Sequence, residues 1–128
     1  MNFQISLFNW QDGGNHLFIL TRGSMDAAAF RQLFAEIEKA ALGLQACRVF
    51  VDLSDSTYQI DPTEIEELAA ATQLTRWPRT NRVAIVSTLE IAGYRRLYFL
   101  RTELAARGLA VDIFRHSRVA IDWLGMPG

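Results

Sequence analysis

Short, densely apolar runs separated by helical patterns constrain this chain more than any other feature. His16-Leu17-Phe18-Ile19-Leu20-Thr21, Arg48-Val49-Phe50-Val51-Asp52-Leu53 and Val83-Ala84-Ile85-Val86-Ser87 are rich in β-branched and aromatic residues. None of the three alternates apolar with polar as a strand with one wet face does, so they read as interior strands of a sheet covered by helices on both sides. Ala110 to Phe114 reads as a further strand. Ahead of them Phe3, Ile5 and Leu7 alternate with Gln4 and Ser6, and Asp12-Gly13-Gly14-Asn15 turns the chain back as an antiparallel hairpin. The first strand is expected at a sheet edge.

Between these runs the apolar period changes to that of a helix. After Gly23, Ser24 or Asp26 can cap a helix whose apolar residues Phe30, Leu33, Phe34, Ile37 and Ala41 fall on one face, with Gly43 placed to end it. Asp61-Pro62-Thr63-Glu64 combines three start signals: Asp at the N-cap, Pro at the first helical position, and Glu three residues after the cap. Ile65, Leu68, Ala69 and Thr72 form its inner stripe, and Arg76-Trp77-Pro78-Arg79-Thr80-Asn81 breaks it. A third helix is expected from about Glu90 to Arg107, ended by Gly108, and Ser117 can cap a short fourth. The expected order is ββαβαβαβα: an α/β sandwich with a five-stranded, mostly parallel sheet, right-handed crossovers and four helices. A chain of 128 residues, half of them hydrophobic, has room for one such domain, taken here as residues 1–125 with 126–128 frayed.

Composition removes several function classes. The formal charge of −1 gives no field for nucleic acid or an anionic membrane, and no apolar run approaches a spanning helix. The single cysteine, Cys47, excludes an internal disulfide and, with His16 and His116 far apart, the usual structural zinc spacings. No serine or thiol stands beside a histidine in a recognisable catalytic arrangement, and no glycine-rich phosphate loop occurs, so no cofactor, metal or catalytic residue is assigned. Cys47 is read as an inert buried thiol and His116 as a solvated loop side chain.

The hairpin, VFVDLSDS at the end of the third strand, RVAIVS as the fourth, and the closing IFRHSRVAIDWL together resemble the SpoIIAA-like proteins. That group is related to the STAS domain and shares its fold with lipid-carrying SEC14-type domains. The resemblance covers nearly the whole chain. It implies a small, bacterial-type, non-enzymatic module that works by binding a protein or itself, and the lone Cys47 points to a reducing cytoplasmic home. The resemblance also offers an alternative, a small-molecule or lipid carrier using the crevice at the carboxyl ends of the strands or an apolar gap beneath the third helix. In the anti-sigma-factor antagonists of this group an Asp-Ser-Ser-Gly segment at a helix start holds the serine that a kinase phosphorylates. Here Asp61-Pro62-Thr63-Glu64 falls at that place, so the resemblance puts Thr63, beside Asp61, at the phosphoacceptor position; Pro62 replaces a serine, Glu64 replaces the glycine, and Gln59 lengthens the loop.

Two further sets of residues come from the chain itself. In open parallel sheets ligands collect beyond the carboxyl ends of the strands, and here those ends carry Arg22, Asp52, Ser54, Ser87, Thr88 and Arg115. Hydroxyls, a carboxylate and two guanidinium groups there would suit a small polar or anionic ligand. On the third helix Gly93, Leu97, Leu100 and Leu104 form a narrow stripe that covers the sheet, flanked by Tyr94, Tyr98 and Ile91, while Phe99 projects on the far side among Arg95, Arg96 and Glu103. Aromatic and arginine side chains mixed on a helix face are the composition of a protein contact surface. Residues 1–75 hold four basic against ten acidic side chains, a net of −6, while residues 76–128 hold nine arginines against four acids, a net of +5. A homodimer pairing the acidic second helix with the arginine-bearing third is therefore expected.

Overall fold

The computed structural model describes residues 3–9, 15–41, 47–73, 82–87 and 91–125. Strands β1 (Phe3–Asn9) and β2 (Asn15–Thr21) form the antiparallel hairpin, and β4 (Cys47–Asp52), β6 (Arg82–Val86) and β7 (Ala110–Phe114) extend it in parallel. The main sheet runs β1-β2-β4-β6-β7. Helices α1 (Ala27–Ala41), α2 (Pro62–Gln73), α3 (Ile91–Ala106) and α4 (Ser117–Leu124) make the crossovers and the close. The sequence order ββαβαβαβα omits two short strands, β3 (Gly23–Asp26) and β5 (Ser56–Gln59), which pair in parallel as a separate two-stranded sheet. Each is four residues long with no apolar period. What creates them is backbone: Gly23 takes a left-handed φ of 81°, and its N–H donates to the Asp55 carbonyl at 3.2 Å.

Strand register explains both sides of the core. Leu17, Val49, Val83 and Val111 form one cross-strand row, and Ile19, Val51, Ile85 and Ile113 the next on the same face. Against these rows pack Phe30, Leu33 and Ile37 of α1, Ile65, Leu68 and Ala69 of α2, and Leu97, Leu100 and Leu104 of α3. Each such fully buried side chain contributes roughly 1.5–3 kcal/mol by leaving water. The opposite face is smaller: Phe50, Ala84 and Val86 meet Ala120 and Leu124 of α4, with Phe18, Phe114, Ile121 and Trp123 at its margin. One eight-residue helix, seated on β4, β6 and β7, covers this side. Strand β2 is therefore covered only in part on this second face: His16 is buried and Phe18 half-buried, but Leu20 is left 50% exposed.

The helix ends follow local chemistry. Asp26 is the residue that caps α1, its Oδ1 accepting from the Ala29 N–H at 2.8 Å. Gly108, at φ 87°, closes α3 as its N–H donates to the Ala105 carbonyl, with the Leu109 N–H on Leu104. At α4 the cap position is His116 rather than Ser117, which is the first helical residue, and no side chain caps it. Gly43, Trp77 and residues 126–128 lie outside the described residues, as does the side chain of Thr72.

Candidate functional site

At the carboxyl ends of the parallel strands, polar side chains are engaged with one another and with backbone. The buried Thr21 hydroxyl donates to the Asp52 carbonyl at 3.0 Å, which leaves it to accept from the buried Ser56 hydroxyl. Asp52 folds its carboxylate back, Oδ1 accepting from the Ser54 N–H at 2.8 Å. The Leu53 N–H donates to Val86 at 2.8 Å and the Ser87 N–H to Phe114 at 2.9 Å, so the strand ends are stitched across the sheet. The structure thus brings together Thr21, Asp52, Ser54 and Ser56; Ser87 is buried within the same row of ends, and Arg22 and Arg115 are exposed at the rim. Thr88 lies outside the described residues. The sequence reading missed Ser56, whose only signal was a hydroxyl residue close after the second interior strand.

The start of α2 is a reciprocal capping box. The Asp61 N–H donates to Glu64 Oε1 at 3.1 Å, the Glu64 N–H donates to Asp61 Oδ1 at 2.8 Å, and the Ile65 N–H reaches the Asp61 carbonyl at 3.0 Å. Thr63 sits exposed inside this box with two acidic side chains beside it.

On α3 the aromatic surface is Tyr98, 45% exposed, and not Phe99. Phe99 is half-buried and packs against the main core, because α3 meets α2 as well as β7 and so is buried on more than the one stripe. Arg95 and Arg96 are exposed. The Arg101 guanidinium lies over the Tyr98 ring, 5.3 Å from its centroid, while its Nε stands 3.5 Å from Asp112 Oδ1. The side chain of Tyr94 lies outside the described residues.

A cavity of about 140 Å³ opens at the other end of the sheet, beside the first residues of β6 and β7. Phe34, Leu68, Ala71, Val83, Leu104 and Val111 line it, with Arg31 and Glu38 of α1 as its polar members. Nearby in the strand layer, Cys47 is fully buried, and burial pushes its thiol from 9.0 up to about 11, so it stays protonated and unreactive at neutral pH. His16 is also buried, its Nε2 3.2 Å from Arg48 Nη1, so this ring nitrogen accepts from the guanidinium. No group of three metal-ligating side chains gathers among the described residues, and no helix there is long and apolar enough to cross a membrane.

No family model matches the chain, and no curated protein matches it in sequence. Solved structures do match. A protein of the DUF3478 family with a SpoIIAA-like fold, from Shewanella loihica PV-4, superposes with a TM-score of 0.59 at 18% identity, over 96% of this chain and 94% of that one. The anti-sigma factor antagonist SpoIIAA in its unphosphorylated form gives 0.55 at 15% identity, over 96% and 97%. This chain has the SpoIIAA-like, STAS-like fold. At such identities the likeness carries the architecture, a mostly parallel sheet with four helices, and says nothing of individual side chains. The SpoIIAA-like frame therefore leaves the strand-end network, the α2 capping box, the α3 surface and the cavity to be judged on their own chemistry.

Proposed function

We propose that this chain is a non-enzymatic regulatory module that acts in the cytoplasm by binding another protein. The observation that carries the reading is the exposed face of α3, where Tyr98 stands between Arg95 and Arg101 at helical spacing, the Arg101 guanidinium over its ring. Tyrosine and arginine supply large contact area and several hydrogen-bond donors, and they dominate the energetics of protein interfaces. The fold shared with an anti-sigma factor antagonist supports the same reading. Within it, Thr63 with Asp61 is the proposed phosphoacceptor region, and Arg22, Asp52, Ser54, Ser87, Thr88 and Arg115 form the proposed polar crevice. The test compares immobilised wild type with the triple variant Arg95→Ala, Arg96→Ala, Tyr98→Ala for proteins retained from extracts of the source cell. A protein held in stoichiometric amount by wild type and lost by the variant is expected. Identical retention by both, or none by either, overturns the reading.

The cavity favours a second reading, a carrier of small apolar molecules, at the amino ends of the strands rather than at the carboxyl-end crevice. An apolar fluorophore should brighten on binding wild type and not on binding Ala71→Phe, which fills the space; equal response from both proteins removes the carrier.

A further inference from the structure

The two edges of the main sheet are built differently. Strand β7, five residues long, carries its own block. The Phe114 carbonyl faces β6, where it accepts from the Ser87 N–H, so backbone alternation turns the Ile113 N–H outward. That N–H donates to Asp112 Oδ1 at 2.8 Å, and the same carboxylate is held by Arg101. A charged side chain that occupies an outward amide is a device against edge-to-edge pairing.

Strand β1 has no such device in its sequence. Phe-Gln-Ile-Ser-Leu-Phe-Asn holds no charged residue, no proline and no glycine over seven residues, all of them in continuous register with β2. It stands at the end of the sheet, so alternate residues offer N–H and C=O groups away from β2. We propose that β1 is the pairing edge for a second copy of this chain, antiparallel about a two-fold axis through Ser6. In that register Phe3 stands opposite Asn9, Gln4 opposite Phe8, Ile5 opposite Leu7, and Ser6 opposite itself. Every pair joins residues of the same parity, so the outward groups of one strand meet the outward groups of its copy whichever set points out. No like charges meet, because the strand has none. The contact is isologous and closes at two chains, joining both main sheets into one. This proposal is independent of the protein-binding reading.

Light scattering across a concentration series, on wild type and on Ser6→Lys and Ser6→Glu, tests it. Wild type should run at twice the 14.5 kDa chain mass. Each variant alone should fall to the chain mass, because two like charges stand at paired positions, and an equimolar mixture of the two should return to twice that mass. Hydrogen exchange of the β1 amides in wild type should slow as concentration rises, a readout that needs no variant. Wild type at chain mass throughout, variants that pair as wild type does, a mixture of folded variants that stays at chain mass, or β1 exchange independent of concentration each overturn it. Loss of the dimer in the Arg95, Arg96, Tyr98 triple variant would move the interface to α3 and overturn it as well.

Discussion

The two ends of the parallel strands are made of different chemistry. At the carboxyl ends hydroxyl, carboxylate and backbone groups are consumed in a network running from Thr21 through Asp52 and Ser56. At the amino ends three helices and two strands leave an apolar cavity, and the one cysteine is fully buried. The contrast separates where polar residues are found from where space is found. In this molecule Thr21, Asp52 and Ser56 hold the strand ends together at one end, and the apolar space lies at the other.

The largest effects expected are in α3, which spans both ends. Leu97 and Leu104 are equally buried in the same stripe, but only Leu104 borders the cavity. Truncation at Leu97 leaves an enclosed void and should cost about 3–5 kcal/mol, near the top of the range for such changes. Leu104→Ala should cost less, about 2–3 kcal/mol, because the space it opens joins one already there and forfeits fewer contacts. Urea unfolding of both variants checks the order. Equal or reversed costs would mean that the amino end is packed as tightly as the rest.

Titration of Cys47 sharpens the same contrast at the amino end. The thiol ionises near 9.0 when unfolded and at about 11 when folded, so only the unfolded chain gains a thiolate between those values. Stability from this group is complete below pH 9 and falls as pH rises to 11, by at most about 3 kcal/mol. Cys47→Ala should abolish that slope, so the wild-type minus variant difference isolates it from other alkaline titrations. A difference that stays flat from pH 8 to 11 would mean that the thiol is solvated.

Much of this was legible in the chain, and the rest was hidden for physical reasons. The dense runs around Phe18, Phe50 and Ile85 marked the strands because side-chain type responds to burial. Asp61 with Glu64 marked a helix start because the capping box is local. Strands β3 and β5 were invisible: four residues carry no period, and their pairing depends on Asp55 and Gly23 meeting across 32 positions of chain. Phe99 was misplaced because a helical wheel assumes one buried side, whereas α3 has two neighbours. A gap beneath the third helix could be expected only from the resemblance, and the cavity's place at the amino ends, bordered by α1 and α2, reflects the distance between helices rather than the identity of Ala71 or Leu68.

The smallest effect, and the most direct test of the carboxyl end as scaffold, is at Thr21. Thr21→Val keeps the shape, removes the donor to the Asp52 carbonyl, and strips the Ser56 hydroxyl of its acceptor in a buried setting. It should cost about 1–3 kcal/mol, the range for leaving a buried polar group unmatched. Ser56→Ala removes only the outer member and should cost about 1 kcal/mol, because Thr21 keeps its bond to Asp52. The double variant should cost less than the two changes added together, since the orphaned Ser56 hydroxyl left by Thr21→Val is then gone. Additive costs would show the two hydroxyls to be energetically separate. Single costs near zero would free these groups for a ligand and reverse the comparison between the two ends.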